Sequence, residues 1–236
     1  MRFYDFRTPV LIAFEGLDGS GKSTSISFIS KKIEEYGFKV GIFKYSSSRK
    51  DLIGKTITYL YKSESQGSFL RRWLIRFRPI QAILYNIQAR LNYCDIGEIS
   101  SLDVVIYDRC AVTAFIAHTN IEEEKLGTQF IISFLESQFV PDYVIYLKID
   151  PIMALSRISS RSQGNWTDEE VDKIGAMEHN YNRLLNATWC PYPLTKIKKW
   201  FVVNGMRPQV EVVHDIEVII KQILNIERGE KLEKKM

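Results

Sequence analysis

Apolar residues gather in five short runs along the chain, at residues 10–14, 40–44, 104–107, 143–149 and 201–203. Each run is rich in β-branched or aromatic side chains and lacks clear in/out alternation, the pattern of strands buried on both faces of a parallel sheet. Between them lie stretches with apolar and polar positions on opposite faces, at residues 23–36, 80–99, 127–139 and 168–187, which predict helices. Asp150-Pro151 predicts the entry to a further helix over 151–160, because proline suits the first helical turn. Thr167 with Glu170 reads as a capping box for the helix after it. Strands alternating with helices predict an α/β fold, a doubly wound five-stranded parallel sheet flanked by helices. No internal repeat or long Gly/Ser linker interrupts residues 1–236, so one domain is expected, with the charged tail 227–236 frayed.

Composition bounds this picture without assigning a purpose. A chain of 236 residues, 45% apolar, can bury a single sizeable core, which excludes collagenous, disordered and disulfide-stapled classes. Cys94, Cys110 and Cys190 are widely spaced, and no CxxC or Cys/His cluster supports a disulfide framework or a zinc site. The run at 10–14 is short and is followed at once by Glu15, unlike a secretory signal. No apolar stretch approaches the roughly 20 residues that span a bilayer. A cytoplasmic protein with reduced thiols is the expectation. The net charge of +4 suits a phosphorylated ligand and falls short of indicating nucleic acid.

The strongest chemical signal is Leu11-Ile-Ala-Phe-Glu-Gly-Leu-Asp-Gly-Ser-Gly-Lys-Ser-Thr24, in which Gly16-x4-Gly21-Lys22-Ser23 matches the P-loop pattern in full. A polyphosphate needs several donors converging at once, and successive backbone N–H groups in a glycine-permitted turn provide them. The turn Gly16, Leu17, Asp18, Gly19, Ser20, Gly21 leads into a helix at Lys22, Ser23 and Thr24, whose N-terminal dipole adds attraction for anions. Lys22 is expected to bridge the β- and γ-phosphates, and the Ser23 hydroxyl to ligate Mg2+. The buried strand before the loop and the amphipathic helix after it are the context this motif requires, so a P-loop fold binding a nucleoside triphosphate is predicted.

These residues carry a resemblance to a known family. Phe14-Glu-Gly-Leu-Asp-Gly-Ser-Gly-Lys-Ser-Thr24 resembles the loop signature of thymidylate kinases, which hold an acidic residue inside the loop. Val105-Ile-Tyr-Asp-Arg109 resembles their Asp-Arg-Tyr motif. Pro141-Asp-Tyr-Val-Ile-Tyr-Leu-Lys-Ile-Asp-Pro151 and Arg157-Ile-Ser-Ser-Arg161 resemble their fourth strand and lid, here at residues 157–167. Together these segments cover approximately residues 10–216. Deoxynucleoside kinases share the Pro-Asp-x-x-x-Tyr-Leu pattern, while Asp18 and the Asp-Arg pair favour the thymidylate kinase side. The resemblance implies ATP- and Mg2+-dependent phosphoryl transfer from ATP to dTMP, and commonly a homodimer.

Such a reaction brings two sets of phosphate charges together, and fixed arginine forks suit phosphate oxygens better than flexible lysines. Arg109 follows the third predicted strand and should emerge at the carboxyl edge of the sheet, where α/β ligands bind. By resemblance it contacts phosphates where donor and acceptor meet, with Asp108 supporting Mg2+ or its waters; a salt bridge between these two neighbours is the plain alternative. By resemblance also, Arg49 and Arg90 grip the acceptor, Thr113 replaces a common acceptor-side serine, and Asp18 serves the sugar 3′-hydroxyl or a Mg2+-bound water. Because Ser20 is small, the family pattern nominates a lid arginine, Arg161 first and Arg157 second. These two lie four apart on one helix face, so both could swing over the donor.

Departures from the family pattern cluster on the acceptor side. Cys110 stands where the family has an aromatic residue or histidine, Asn86 or Tyr85 near its base-stacking aromatic, and Ala117 and His118 near a thymine reader. They keep two other readings open: a kinase of this fold for a nucleoside or specialised metabolite, and a nucleotide-binding module without catalysis. The segment 71–79, Arg71-Arg-Trp-Leu-Ile-Arg-Phe-Arg-Pro79, could meet an anionic membrane or nucleic acid. The reading favoured for it is a helix with Trp73 and Leu74 packed inside and wet or substrate-facing arginines. Small nucleotides are therefore the expected partners.

Overall fold

A computed structural model describes residues 8–44, 87, 99–118, 140–162, 168–186 and 194–226. The five predicted strands are β1 (Val10–Glu15), β2 (Val40–Lys44), β3 (Val104–Asp108), β4 (Tyr143–Lys148) and β5 (Lys199–Asn204). All pair in parallel, in the order β2-β3-β1-β4-β5. The described helices are α1 (Lys22–Glu35), α2 (Ala111–His118), α3 (Pro151–Ser162), α4 (Asp168–Asn186) and α5 (Gln209–Ile223). Of the predicted helices, 127–139 lies outside the described residues, as do 80–99 (apart from helical Ile87 and the start of a short 3-10 turn at Ile99), the segment 71–79 and the tail 227–236.

The side chains of the central strands sort by parity onto two layers, as the pleat requires. Ile12 and Phe14, Val104 and Ile106, and Ile145 and Leu147 pack with Ile26, Ile29 and Ile33 of α1 and Val212, Val213, Ile216 and Ile220 of α5. Ala13, Val105, Tyr107, Val144 and Tyr146 face the other way, onto Ala111, Val112 and Ile116 of α2, Ala154 of α3 and Tyr181 of α4. This burial of both faces explains the unalternated sequence of β1, β3 and β4. The expectation fails at the edges: β2 alternates, with Gly41 and Phe43 buried but Ile42 and Lys44 exposed, and β5 exposes Val202. An edge strand has only one neighbour, and its outer positions escape the helix cover.

From β1 the chain winds to β2 on one side of the sheet and later to β4 on the other. The carboxyl end of β1 is therefore a topological switch point, where loops diverge and leave a crevice. Asp150 fulfils its predicted entry role for α3, its Oδ1 accepting from the N–H groups of Ile152 (2.8 Å) and Met153 (3.4 Å). The expected lid at 157–167 begins as the last turns of α3, and α4 opens at Asp168; residues 163–167 are outside the described set.

Candidate active site

At the switch point the loop Gly16–Gly21 turns sharply between β1 and α1. Gly16, Gly19 and Gly21 have φ of 140°, 80° and 94°. At Gly19 a Cβ would also lie 2.6 Å from the carbonyl oxygen of Ala154, so the loop is pressed against α3 as well as left-handed. Gly21 caps α1 without any side-chain hydrogen bond, and the helix N-terminus carries no acidic residue in its first turn. The first N–H groups of α1 thus keep their attraction for an anion.

Lys22 is buried and donates from Nζ to the carbonyl oxygens of Gly16 (2.9 Å) and Leu17 (2.7 Å), using two of its three N–H donors. Burial, and then the nearby Arg109 guanidinium, push its pKa down to about 8. Arg109 is also buried, at the end of β3, and pairs through Nη2 with Asp18 of the loop. The alternative of a salt bridge to its neighbour Asp108 is not what forms. Burial opposes the charge of Arg109, but Tyr181, Asp18 and Glu15 outweigh it and raise its pKa. Partial desolvation in the loop opposes ionisation of Asp18, although its side chain is largely exposed, and Arg109 and Lys22 (3.9 Å away) more than compensate, holding its carboxyl below the ordinary value.

Two cations side by side in a buried position repel one another, and a phosphate between them would relieve the strain. Two orphaned atoms point to the same need. Arg109 Nη1 and Ser20 Oγ are buried and have no hydrogen-bond partner among the described residues. Such groups are costly unless a ligand satisfies them. The cradle therefore fits the polyphosphate of a nucleotide. Among the described residues no group of three or more His, Cys, Asp or Glu could by itself hold a metal. Mg2+ is usually held by one or two protein groups together with substrate phosphates, and exposed Ser23 and half-buried Asp108 are the candidates here.

Arg109 adopts φ 70°, a left-handed conformation that is rare outside glycine. Its own N–H donates to Phe14 O (3.1 Å), and the next N–H, of Cys110, donates to Glu15 Oε1 (2.8 Å). Glu15 is fully buried, and its Oε2 accepts from Thr113 Oγ1 (2.7 Å) and Tyr181 Oη (2.6 Å). Burial and then the charge of Glu15 raise the Tyr181 pKa well above ordinary. Sequence reasoning passed over both residues. Glu15 had a usable signal, an acidic side chain ending a buried strand on the same face as Ala13. Tyr181, 166 positions away, had none.

Of the other sequence-predicted residues, Thr113 sits half-buried in the first turn of α2 and directs its hydroxyl to Glu15. Cys110 is buried in the layer under α2. Arg157 does not stand alone on its helix face: its Nη1 donates to Gly205 O (3.1 Å) and, more weakly, to Gly19 O (3.4 Å), bridging α3, the loop and the turn after β5. Thr24 is exposed beside Ser23 in the first turn of α1. Arg161 lies in the last turn of α3, but its side chain is outside the described set, as are Arg49, Arg90, Tyr85, Asn86 and the side chains of Ala117 and His118. None of the described helices is long and apolar enough to cross a membrane.

A buried lysine and arginine around a left-handed glycine loop, at the switch point of a five-stranded parallel sheet, define a P-loop phosphotransferase site. The sequence model of the thymidylate kinase family matches residues 14–215. The chain is 26% identical to the thymidylate kinase of Leptospira borgpetersenii serovar Hardjo-bovis, over 90% of this chain and 94% of that protein. It is 22% identical to the thymidylate kinase of Thermoanaerobacter sp., over 90% and 98%, and 25% identical to the probable thymidylate kinase of Archaeoglobus fulgidus, over 93% and 99%. The chain belongs to the thymidylate kinase family, nucleoside monophosphate kinases with a P-loop.

Proposed function

We propose that this chain transfers the γ-phosphoryl group of ATP to dTMP, giving dTDP and ADP, as a single-domain enzyme of the cytoplasm. The observation that carries the reading is the buried Lys22–Arg109 pair with its unsatisfied Nη1, set against a phosphate loop in a chain of this family. ATP phosphates lie on Gly16–Thr24, with Lys22 at the β/γ oxygens and the α1 N-terminus behind them. Ser23 and Asp108 would hold Mg2+, which would supply neutralisation of phosphate charge. Arg109 stands between donor and acceptor, and Arg49, Arg90 and Thr113 complete the acceptor side by family resemblance. Asp18 orients Arg109 and, by family resemblance, serves the acceptor sugar 3′-hydroxyl or a Mg2+-bound water. A phosphate monoester is already anionic near neutral pH, so its oxygen attacks without a strong base. The protein's work is orientation and neutralisation of the transferring group. Arg157 bridges α3, the loop and the turn after β5, with Arg161 on the exit of the same helix as the lid residue. A homodimer follows by resemblance.

The test is a coupled ADP-release assay with ATP, Mg2+ and a panel of dTMP, dUMP, other monophosphates and nucleosides. Stimulation by dTMP above the rest is the expected result. Turnover with a nucleoside or sugar, and with no monophosphate, defeats the acceptor assignment.

A further inference from the structure

The mechanism above uses Arg109 but leaves open what holds a buried arginine at φ 70°. The answer lies one residue before the phosphate loop. Glu15 ends β1 on the face of Ala13, which looks toward α2 and α4. A carboxylate buried there is costly unless several donors meet it. Three do, from three separate places: the Cys110 N–H in the turn after β3, Thr113 Oγ1 in α2 and Tyr181 Oη in α4. The first of these fixes the peptide next to Arg109, while Phe14 O fixes the Arg109 N–H itself. The last two residues of β1 therefore grip the left-handed turn from both sides. Helix α4 is secured to the same point, with the Tyr181 ring stacked on Tyr146 at 4.7 Å and Asn180 donating to Ile116 O at 3.2 Å.

We propose that Glu15 is a positioning residue for phosphoryl transfer, which holds the Arg109 turn in register with the phosphate loop by accepting from Cys110, Thr113 and Tyr181. The proposal rests on the kinase reading above. Its chemistry uses an acceptor with two oxygens. Glutamine would keep one oxygen for the Cys110 N–H and let the two hydroxyls turn to accept from its NH2, so the variant that removes the acceptors is leucine, close in size and without polar atoms. The turn then loses an anchor, and the guanidinium shifts from its place between the phosphates.

The experiment compares kcat and KM for Glu15→Leu, Tyr181→Phe and Arg109→Ala, with the double variants, in the ATP and dTMP assay. Glu15→Leu is expected to lower kcat about 10- to 100-fold while leaving the KM for ATP within about three-fold. In the Arg109→Ala background the same change should cost less than about three-fold, because the residue it acts through is gone. Tyr181→Phe keeps the ring on Tyr146 and removes one donor; a smaller kcat loss, less than additive with Glu15→Leu, is expected. Equal losses with and without Arg109, or an unchanged kcat, refute the role. Should Glu15→Leu fail to fold, Tyr181→Phe with and without Arg109 makes the same comparison.

Amide hydrogen exchange supplies a readout independent of the acceptor. The Cys110 amide should exchange about ten-fold faster or more in the variant while the β1 amides keep their protection; an unchanged Cys110 amide counts against the proposal. If the wild-type chain phosphorylates no monophosphate, the functional reading fails by itself. The Glu15 role is then decided by Cys110 exchange and by the same variant ratios for ATP hydrolysis.

Discussion

Arg109 concentrates the physical conflict of this site in one residue. It is buried, it sits beside a second buried cation, and its backbone is left-handed. The left-handed backbone and the burial each cost folding free energy, which the Asp18 and Glu15 carboxylates offset on the charge side; such a conflict is characteristic of functional positions. Backbone strain and side-chain chemistry can be separated by two substitutions. Arg109→Gly should be more stable than Arg109→Ala by about 1 kcal/mol, because only glycine relieves the left-handed conformation. Both should lose about 100-fold or more in kcat/KM, as expected when a preorganised charge is removed from a phosphoryl-transfer site. Thermal denaturation and steady-state kinetics on the pair check this, and equal stability of the two would deny the strain. The residue types were legible from sequence, since a P-loop lysine and an arginine after a strand both announce phosphate chemistry. Their contacts were not. The Arg109 partner is Asp18, 91 positions away, and not the adjacent Asp108.

Elements bring those residues together through close backbone contacts. The phosphate loop is wedged between the end of β4 and the first turns of α3, as the would-be Cβ contacts of Gly16 and Gly19 show. Gly19→Ala adds a methyl group 2.6 Å from a backbone oxygen at φ 80°, and should cost roughly 2 kcal/mol and weaken ATP binding. Gly37→Ala, at φ 92° with nothing within 4 Å, is the control, expected to cost about 1 kcal/mol and leave ATP affinity unchanged. Chemical denaturation and nucleotide titration of both variants decide between steric wedge and simple strain.

A second junction holds α1 to α5, where Glu217 accepts from Tyr36 Oη and Lys221 Nζ (2.8 Å). The Lys221 and Tyr36 hydrogen bonds hold the Glu217 carboxyl below its ordinary pKa. A depressed carboxyl contributes stability that is fully present above the unfolded pKa of about 4.3 and is lost as pH falls through the folded value. Wild type should therefore melt above Glu217→Gln at pH 7, and the gap should close at acidic pH. Melting curves from pH 7 down to pH 3 test the sign. The helix and strand segments were readable from periodicity because the central strands are buried on both faces. The alternation of β2 was missed because edge position is a property of the assembled sheet.

At the scale of the whole molecule, donor and acceptor of the proposed reaction meet at one switch point, so both ligands should stabilise the same fold. With each nucleotide at a hundred times its Kd, ATP should raise stability by about 2.7 kcal/mol and dTMP by a similar amount. Thermal shifts measured singly and together test this. No shift with any nucleotide would remove the basis of the functional reading. At this scale the sequence alone determined the α/β class, five strands, the phosphate loop and the family, because each depends on local periodicity or on contiguous residues. Only the tertiary structure decided that Glu15 collects donors from three elements, that Arg157 bridges two carbonyls, and that Arg109 answers to Asp18. Those pairings span 91 to 166 positions for Arg109 and Glu15 and 48 to 138 for Arg157. A local pattern carries no record of them. They arise when strand order brings the carboxyl ends of β1, β3 and β4 to one edge, and a buried polar group there must find its partner or go unsatisfied.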